Sequence, residues 1–236
     1  MTAVSTRPGA TSPSDRTGHR RRWLIAAIVL TMVAVLGWVI GFSSLLGVGS
    51  VQVKGTRLLS AQQVRTAAGV KAGTPLIRLN TDVIRNRVEK LPEVRSVRIS
   101  TSYPSTVTIA VTERVAVGYR SYGSRAQLID ADNVGFRTVR SAPAGLPNLG
   151  GQDDATSAAI ATVAASLPAT TARRVDSISA QSLESVTLTL TDGRTVLWGG
   201  TDRNADKARL VAALFGQPGK YFDVSDPDAV ISRGGN

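Results

Sequence analysis

The sequence predicts an α+β protein with an N-terminal transmembrane helix, a β-α-α-β-β domain, and a C-terminal mixed or antiparallel β domain with flanking helices. Three observations lead to this fold class. An uncharged apolar run fills residues 24–42, apolar residues then recur at helical spacing in two short segments, and later segments alternate apolar and polar residues. Periods near 3.6 and 2.0 are typical of amphipathic helices and of strands, respectively.

The apolar run is long enough to cross a membrane as one helix. Its 19 residues would form a helix of about 28 Å, close to the roughly 30 Å thickness of the hydrocarbon core. Trp23 and Trp38 lie near its two ends, where indole side chains favour the membrane interface. A secretory signal usually has a shorter apolar region and a small-residue cleavage site, and "GFSSLLGVGS" offers only a weak one. We therefore predict an uncleaved transmembrane helix over residues 23–46.

The residues before this run predict its orientation. Residues 1–22 are rich in Ser, Thr, Pro, Gly and Arg, a composition typical of a disordered tail. Arg20, Arg21 and Arg22 directly precede the apolar run, and positively charged flanks stay on the cytoplasmic side. We therefore predict a basic cytoplasmic tail over 1–22 and a single-pass plasma-membrane protein whose C-terminus is extracytoplasmic.

Cap and turn residues support the β-α-α-β-β order of the first domain, residues 47–120. The segment "SVQVKGT" alternates as a strand, and Ser60 begins a capping-box pattern that indicates the start of a helix. Asn80 or Thr81 can cap a second helix, which Pro92 ends. The segment "SVRISTSYPSTVTIAVTER" alternates on both sides of a Tyr-Pro turn, which predicts a hairpin. We expect the two helices to cover the apolar face of this sheet.

The second domain, residues 121–233, is predicted from two hairpins and two helices. Turn residues indicate hairpins around Asp132-Asn133 and Asp192-Gly193. Asp153 or Asp154 can cap the first helix and Thr201 the second, whereas "GLPNLGG" is predicted to be a loop. The apolar positions expected to face the core are Ile160, Val163 and Leu167, then Leu210, Val211, Leu214 and Phe215. The segment "KYFDVSDPDAVISR" alternates weakly around an Asp-Pro-Asp turn and ends the chain.

Composition argues against an enzyme. The chain has a net charge of +11 and no cysteine, and its one histidine, His19, lies in the tail. The usual catalytic triads and thiolate metal sites therefore lack their residues beyond the membrane helix. The aspartate pairs are Asp130/Asp132, Asp153/Asp154 and Asp226/Asp228, and each lies where a turn or a cap would use it. No base-stacking aromatic residues interleave with the basic residues of the segment 48–120. We predict no catalysis, no metal, no cofactor, no nucleic acid and no small-molecule substrate.

Motifs in both domains resemble the FtsQ/DivIB family of bacterial cell-division proteins. The matching motifs are "V.V.G" in the first strand, "LPEV..V.I...YP.T..I.V.ER.AV" through the hairpin, "LP.L.G", "V..GG" and "Y.DVS.P". The resemblance covers roughly residues 20–233. It implies a single-span anchor, a POTRA domain over 47–120 and the β domain of this family over 121–233.

The resemblance implies a scaffold at the division septum that binds other division proteins outside the membrane and links early and late septum-assembly proteins. Members of the family capture an extended segment of FtsB by strand addition at the terminal strand, which holds the FtsB–FtsL pair beside the septal wall synthesis proteins. The positions carried over are Phe222, Asp223, Val224, Ser225, Asp226, Ala229, Val230 and Ile231. A recruitment edge in the POTRA domain would include Ile99 and Thr101.

Two alternatives to this interpretation stay open. The segment 222–231 could simply close the core, and Ile99 could be a plain core residue, because alternating strands bury one face. The runner-up function is a membrane-anchored module that binds cell-wall polymer or acts like a chaperone through the basic face of the POTRA domain. The arginines that would serve it are Arg85, Arg87, Arg95 and Arg98.

Overall fold

A computed structural model describes residues 16–42 and 47–234 of the protein. Helix α1 (Arg16–Phe42) contains 27 residues and begins seven residues before the predicted start at 23, since arginine is a good helix former. None of the helices within the described residues combines the length and the apolar character that a membrane crossing requires. The transmembrane helix over 23–46 stays a prediction, and residues 1–15 of the predicted tail and 43–46 of that helix lie outside the described residues.

The first domain forms a three-stranded sheet with two helices, as the sequence predicts. Its elements are β1 (Ser50–Lys54), α2 (Ala61–Ala68), α3 (Thr81–Val88), β2 (Val94–Ser102) and β3 (Thr106–Glu113). The strand order is β1-β3-β2, with β1 parallel and β2 antiparallel to the central β3. Both β1 and β2 are therefore edge strands of this sheet. The helices pack on one face, where Val64, Ile84 and Val88 join the buried cluster with Val107 and Ile109.

The predicted helix caps in this domain are confirmed. Ser60 and Gln63 form the complete capping box of α2, and Gly69 ends the helix in the left-handed conformation with φ 60°. Of the two candidates for α3, Asn80 is the cap, because its side chain accepts the N–H of Val83. Local contacts thus fix both ends of α2 and the start of α3.

The second domain is a nine-stranded mixed sheet. Its elements are β4 (Ala116–Tyr122), β5 (Arg125–Asp130), β6 (Gly135–Val139), β7 (Asn148–Gly151), α4 (Asp154–Ser166), α5 (Ala169–Ala172), β8 (Val175–Ala180), β9 (Val186–Leu190), β10 (Thr195–Gly199), α6 (Asn204–Leu214), β11 (Tyr221–Asp223) and β12 (Ile231–Arg233). The strand order is β12-β11-β10-β9-β8-β7-β4-β5-β6, so β12 and β6 are its two edges. The core contains Trp198, which is fully buried and donates its indole N–H to Asn204.

Several features of this domain differ from the sequence-based expectations. Both predicted hairpins are present, as β5–β6 and β9–β10. The expected loop 145–151 instead contains β7, which has too few residues to show alternation and pairs in parallel with β4 and β8. The residue that caps α6 is Arg203, in the left-handed region with φ 47°, and not Thr201. The expected domain boundary after residue 120 falls within β4, which belongs to the second sheet.

Candidate partner-binding edges

The C-terminal end of the nine-stranded sheet is formed by two very short strands. Strand β11 pairs in parallel with β10 and antiparallel with β12, so its backbone has a neighbour on each side. Strand β12 pairs only with β11 among the described residues. An outer strand presents unpaired N–H and C=O groups that can accept a further strand. The open margin at this end of the sheet is therefore β12.

The hydrogen-bond register shows which backbone groups of β12 point outward. Thr195 donates its N–H to the carbonyl of Lys220 at 3.0 Å, and Val224 donates its N–H to the carbonyl of Leu197 at 2.9 Å. The backbone groups of residues 222 and 224 therefore face β10, and those of residues 221 and 223 face β12, because the bonding direction alternates along a strand. Lys220, just before the strand, directs its carbonyl toward β10 and donates its N–H to the carbonyl of Arg233 at 3.1 Å. Residues 221 and 223 pair with 233 and 231, so both groups of Ser232 face away from the sheet.

The loop before β12 is held by polar contacts with the start of α6. Arg203 forms a two-pronged ion pair with Asp228, at 2.7 and 3.1 Å. The hydrogen bonds from Arg203 hold the pKa of Asp228 below its ordinary value of 3.8. The Asp226 carboxylate accepts the N–H of Asp228, and the Asp223 carboxylate accepts the N–H and the hydroxyl of Ser225. These contacts fix the point at which the chain enters β12.

The glycine pair before α6 brings this loop close to the core. Gly199 has φ 77°, and a Cβ atom at this position would lie 2.7 Å from Cβ of Ser225. Lys207 is fully buried and donates to the Gly200 carbonyl and to Asp202, both at 3.0 Å. The "V..GG" motif and the lysine after it thus have a structural role, which is to support the loop that leads to β12.

The structure distributes the partner-binding residues expected at the C-terminus over three features. Phe222 and Val224 are fully buried core residues, and Phe222 and Asp223 lie in β11, which has a neighbour on each side. The loop contains Val224, Ser225, Asp226, Ala229 and Val230. Ile231, 46% exposed, alone among them lies in β12. Sequence analysis did not single out Ser232, because register and pairing direction are needed to identify it.

The residues expected at the POTRA edge lie in β2, on the open side of the first sheet. Ser50 donates its N–H to the carbonyl of Ser105, which directs the odd-numbered residues of β3 toward β1 and its even-numbered residues toward β2. The even-numbered residues of β2 pair with these, so the groups of Val97, Ile99 and Thr101 point outward. The Glu89 carboxylate accepts the Val97 N–H at 3.3 Å. Ile99 also packs partly against the core, and Thr101 is exposed.

Glu113 and Arg114, the "ER" of the hairpin motif, contact the first and the second domain, respectively. Burial raises the pKa of Glu113, but three N–H groups, from Arg57, Leu58 and Leu59, outweigh burial and lower it below 4.5. Arg114 forms an ion pair with buried Asp130 at the turn of the β5–β6 hairpin. Sequence analysis assigned these two residues only to a family motif. The available signal in the sequence was the position of the two charges, since Glu113 ends strand β3 and Arg114 follows it directly.

The aspartate pairs are used as the sequence predicts, in turns and caps. Asp153 caps α4 through the N–H of Thr156, and Asp130 accepts the N–H groups of Asp132 and Val134. No group of three or more potential metal-binding side chains lies together within residues 16–42 and 47–234. At the N-terminus, Arg21 and Arg22 are exposed in α1, and Arg20 lies in the same helix.

Comparisons with known proteins agree with the motifs. The FtsQ-type POTRA domain model matches residues 46–114, and the model of the cell division protein FtsQ/DivIB C-terminal region matches residues 118–225. Cell division protein FtsQ of Mycolicibacterium smegmatis is 41% identical over 86% of this chain and 62% of that protein, so the chain spans less than two thirds of that relative. The Streptomyces venezuelae FtsQ is 37% identical over 97% of this chain and 89% of that protein.

A solved structure also aligns with part of the chain. It is the major extracytoplasmic domain of the trans isomer of the bacterial cell division protein DivIB from Geobacillus stearothermophilus, with 22% identity and a TM-score of 0.35, covering 43% of this chain and 93% of that chain. The two family models and the relatives above confirm the resemblance seen in the sequence. The chain belongs to the FtsQ/DivIB family of bacterial cell-division proteins.

Proposed function

We propose that this protein is a scaffold of the bacterial division machinery that captures an extended segment of a partner protein at strand β12. The partner implied by the family resemblance is an FtsB-type protein paired with an FtsL-type protein. The observation that carries the proposal is the open margin of β12, where both backbone groups of Ser232 point away from the sheet. Strand addition uses such groups for affinity and neighbouring side chains for specificity.

The surroundings of β12 suit a bound strand. Val230 and Ile231 are 39% and 46% exposed, which leaves apolar surface at the point where a partner strand would begin to pair. A cleft of about 260 Å³ beside the loop is lined by Arg203, Asp206, Arg209, Leu210 and Pro227. A side chain of the added strand would enter this cleft. The short ladder alone would bind weakly, so the adjacent side-chain contacts supply part of the affinity.

The open edge of β2 supports a second contact, for recruitment by division proteins that arrive earlier. Ile99 and Thr101 present outward backbone groups there, whereas the Glu89 carboxylate already occupies the N–H of Val97. Strand addition at this edge would therefore start beyond Val97 and use Ile99 and Thr101. Two edges on separate sheets allow one scaffold to link early and late septum-assembly proteins and the septal wall synthesis proteins.

The proposal includes a membrane anchor formed by residues 23–46, with the N-terminus in the cytoplasm and the rest at the septum outside the membrane. Residues 24–42 contain no charged residue, and Arg20, Arg21 and Arg22 precede them. The large apolar side chains that the structure describes from Trp23 to Trp38 are 49% to 73% exposed. Exposed apolar surface of this extent favours an apolar environment. Protease access and reporter fusions on either side of the run would test the orientation.

The proposed activity is binding, without catalysis. Each aspartate pair that could have served a glycosidase contributes to a turn, a cap or an ion pair. Lys207 is fully buried, and it contacts a backbone carbonyl and one aspartate rather than a nucleophile. An activity in the purified protein that depends on one of these aspartates would contradict this part of the proposal.

Site-specific photocrosslinking in dividing cells tests the capture of a partner strand. The crosslinker is placed at Ile231, Ser232 or Arg233, with Thr138 as the matched control because it is exposed in β6, the opposite edge of the same sheet. We expect adducts to one small membrane protein at the β12 positions and none at Thr138. Equal adducts at Thr138, or none at β12, would refute the proposal.

The wall-polymer alternative has less support from the basic face. Two of its four arginines already have partners, because Arg85 pairs with Asp82 and Arg95 pairs with Asp132. Reversing the charge of Arg87 and Arg98 and, separately, replacing Ser232 by proline would distinguish the functions. Val224 is unsuitable for proline substitution, since its N–H bonds to Leu197 inside the sheet. Loss of division with the arginine variant alone would favour the alternative.

A further inference from the structure

The loop and helix ends of the POTRA domain carry basic and apolar side chains together. A cleft of about 260 Å³ lies between the end of α2 and the start of α3. Its lining includes Lys71, Arg78 and Arg87. Among the described residues, neither Lys71 nor Arg87 has a carboxylate within ion-pair distance, whereas Arg85 on the same helix pairs with Asp82. The cleft therefore carries positive charge that the protein does not neutralise.

Exposed apolar side chains accompany these charges. Ile77 is 66% exposed in the short 3₁₀ turn Leu76–Arg78, and Val83, which lines the cleft, is 41% exposed. Basic side chains beside exposed aliphatic ones suit the membrane interface, where cations meet headgroups and apolar side chains enter the acyl boundary. A free phosphate or a wall polymer would use the charges but would leave Ile77 in water.

The chain path brings this surface close to the end of α1. Val48 donates its N–H to Thr74 and accepts the N–H of Gly73, both at 2.9 Å. Gly47 packs so tightly on the same loop that a Cβ atom there would lie 2.6 Å from the Gly73 carbonyl oxygen. Phe42 and Gly47 are five residues apart in sequence, so the chain can separate them by at most about 19 Å. The loop contacts Gly47 and Val48, so it can lie only a few ångströms beyond that distance from the end of α1.

We propose that this surface, formed by Lys71, Ile77, Arg78, Val83 and Arg87, docks the POTRA domain onto the anionic lipid headgroups of the membrane. The inference rests on the proposed membrane anchor, because the anchor holds the surface next to the bilayer. Docking would fix the direction in which the two sheets project from the membrane. It is a separate contact from strand capture at β12, which uses the far end of the second sheet.

The test uses the full chain with one fluorescent probe. The sequence has no cysteine, so Ile77→Cys gives a single labelling site for an environment-sensitive dye, and Leu183→Cys, 50% exposed in the second domain, gives the matched control site. The labelled protein is reconstituted into phosphatidylcholine vesicles with or without phosphatidylglycerol. We expect blue-shifted, stronger emission at position 77 only in the anionic vesicles, lost at high salt, and no change at position 183.

Charge substitutions complete the test. Each basic residue near an anionic membrane contributes roughly fivefold to the docked-to-free ratio, so Lys71→Gln with Arg87→Gln should lower that ratio about 25-fold. The matched control is Arg125→Gln with Arg140→Gln, two exposed arginines of the second domain, which changes the net charge equally. The control variant should leave the emission at position 77 unchanged.

Failure of this inference is distinguishable from failure of the anchor. Flotation with the vesicles reports insertion of the chain, and emission at position 77 reports docking. A chain that floats but shows the same emission in both kinds of vesicle overturns the docking surface and leaves the anchor intact. A chain that does not float overturns both. A response of position 77 to inorganic phosphate or to wall polymer, without a response to anionic vesicles, also overturns the inference.

Discussion

Replacing Ser232 by proline should weaken partner capture without unfolding the protein. Ser232 directs its N–H away from the sheet, so proline removes a donor that the fold itself does not use. Proline is tolerated in edge strands when the lost N–H faces outward, and Ile231 before it already has the extended conformation that a proline requires. We therefore expect the same melting temperature for the variant and the original protein.

The size of the effect follows from the short ladder. Ser232 supplies one outward N–H and one outward C=O, and proline removes the N–H. One net hydrogen bond contributes about 0.5–1.5 kcal/mol, and the ring also occupies space that the partner backbone needs. We expect a dissociation constant about tenfold higher, which corresponds to about 1.4 kcal/mol.

The assay is titration of the full-length protein in detergent with the extracytoplasmic segment of an FtsB-type partner. Ser232→Ala is the control, because it removes the hydroxyl and keeps the backbone donor. It should bind as tightly as the original protein. Equal affinity of Ser232→Pro and Ser232→Ala would refute strand addition at this position, and a lowered melting temperature of Ser232→Pro would show that β12 is not the free edge.

The remaining predictions concern three contacts: the Arg203–Asp228 pair before β12, the Arg114–Asp130 pair and the Trp198–Asn204 hydrogen bond. Arg203→Ala should leave the melting temperature almost unchanged, because the pair with Asp228 is exposed, but should weaken partner capture by releasing the loop before β12. Since Arg203 lowers the pKa of Asp228, the midpoint of the pH-dependent change in the Asp228 amide chemical shift should lie below its ordinary pKa of 3.8. Arg114→Met should cost about 3 kcal/mol in urea unfolding, because Asp130 would remain a buried charge without its cation. Asn204→Ala should cost about 1–3 kcal/mol by leaving the indole N–H of Trp198 without an acceptor.

Each of these predictions has its own control. For the ion pair before β12, the Asp228 shift in the Arg203→Ala variant should instead change near 3.8, and an unchanged pH profile would contradict the assignment. For the Arg114–Asp130 ion pair, the double variant Asp130→Asn with Arg114→Met should lose less stability than the sum of the two single variants. Strict additivity would mean that the two side chains do not interact. For the Trp198–Asn204 hydrogen bond, Asn204→Asp retains an acceptor for the indole N–H. Equal losses of stability in Asn204→Asp and Asn204→Ala would show that this hydrogen bond is unimportant.

Local signals in the sequence predicted the first domain well. The capping box at Ser60 and the alternation on both sides of the Tyr-Pro turn are set by residues within a few positions of one another. The Asp192-Gly193 hairpin is predicted for the same reason. The aspartate cap of α4 also depends only on its own neighbours.

Elements that depend on distant pairing were not predictable in the same way. Strand β7 has four residues, two of them glycine, and exists because β4 and β8 pair with it from both sides. The start of α6 has no side-chain cap, since Arg203 precedes it in the left-handed conformation and the buried Lys207 binds the Gly200 carbonyl from within the helix. The binding edge illustrates the same limit, since the family resemblance pointed to the terminal segment but only the register identifies Ser232 as the outward residue.

The most direct test of the account is residue-resolved hydrogen exchange of the β12 amides with and without the partner segment. In the free protein, the amides of Ile231 and Arg233 should be protected by β11, and the amide of Ser232 should exchange quickly. Binding by strand addition predicts that the Ser232 amide becomes protected while the other two change little. An unchanged Ser232 amide in the complex would contradict the central claim that this protein captures its partner at the open margin of β12.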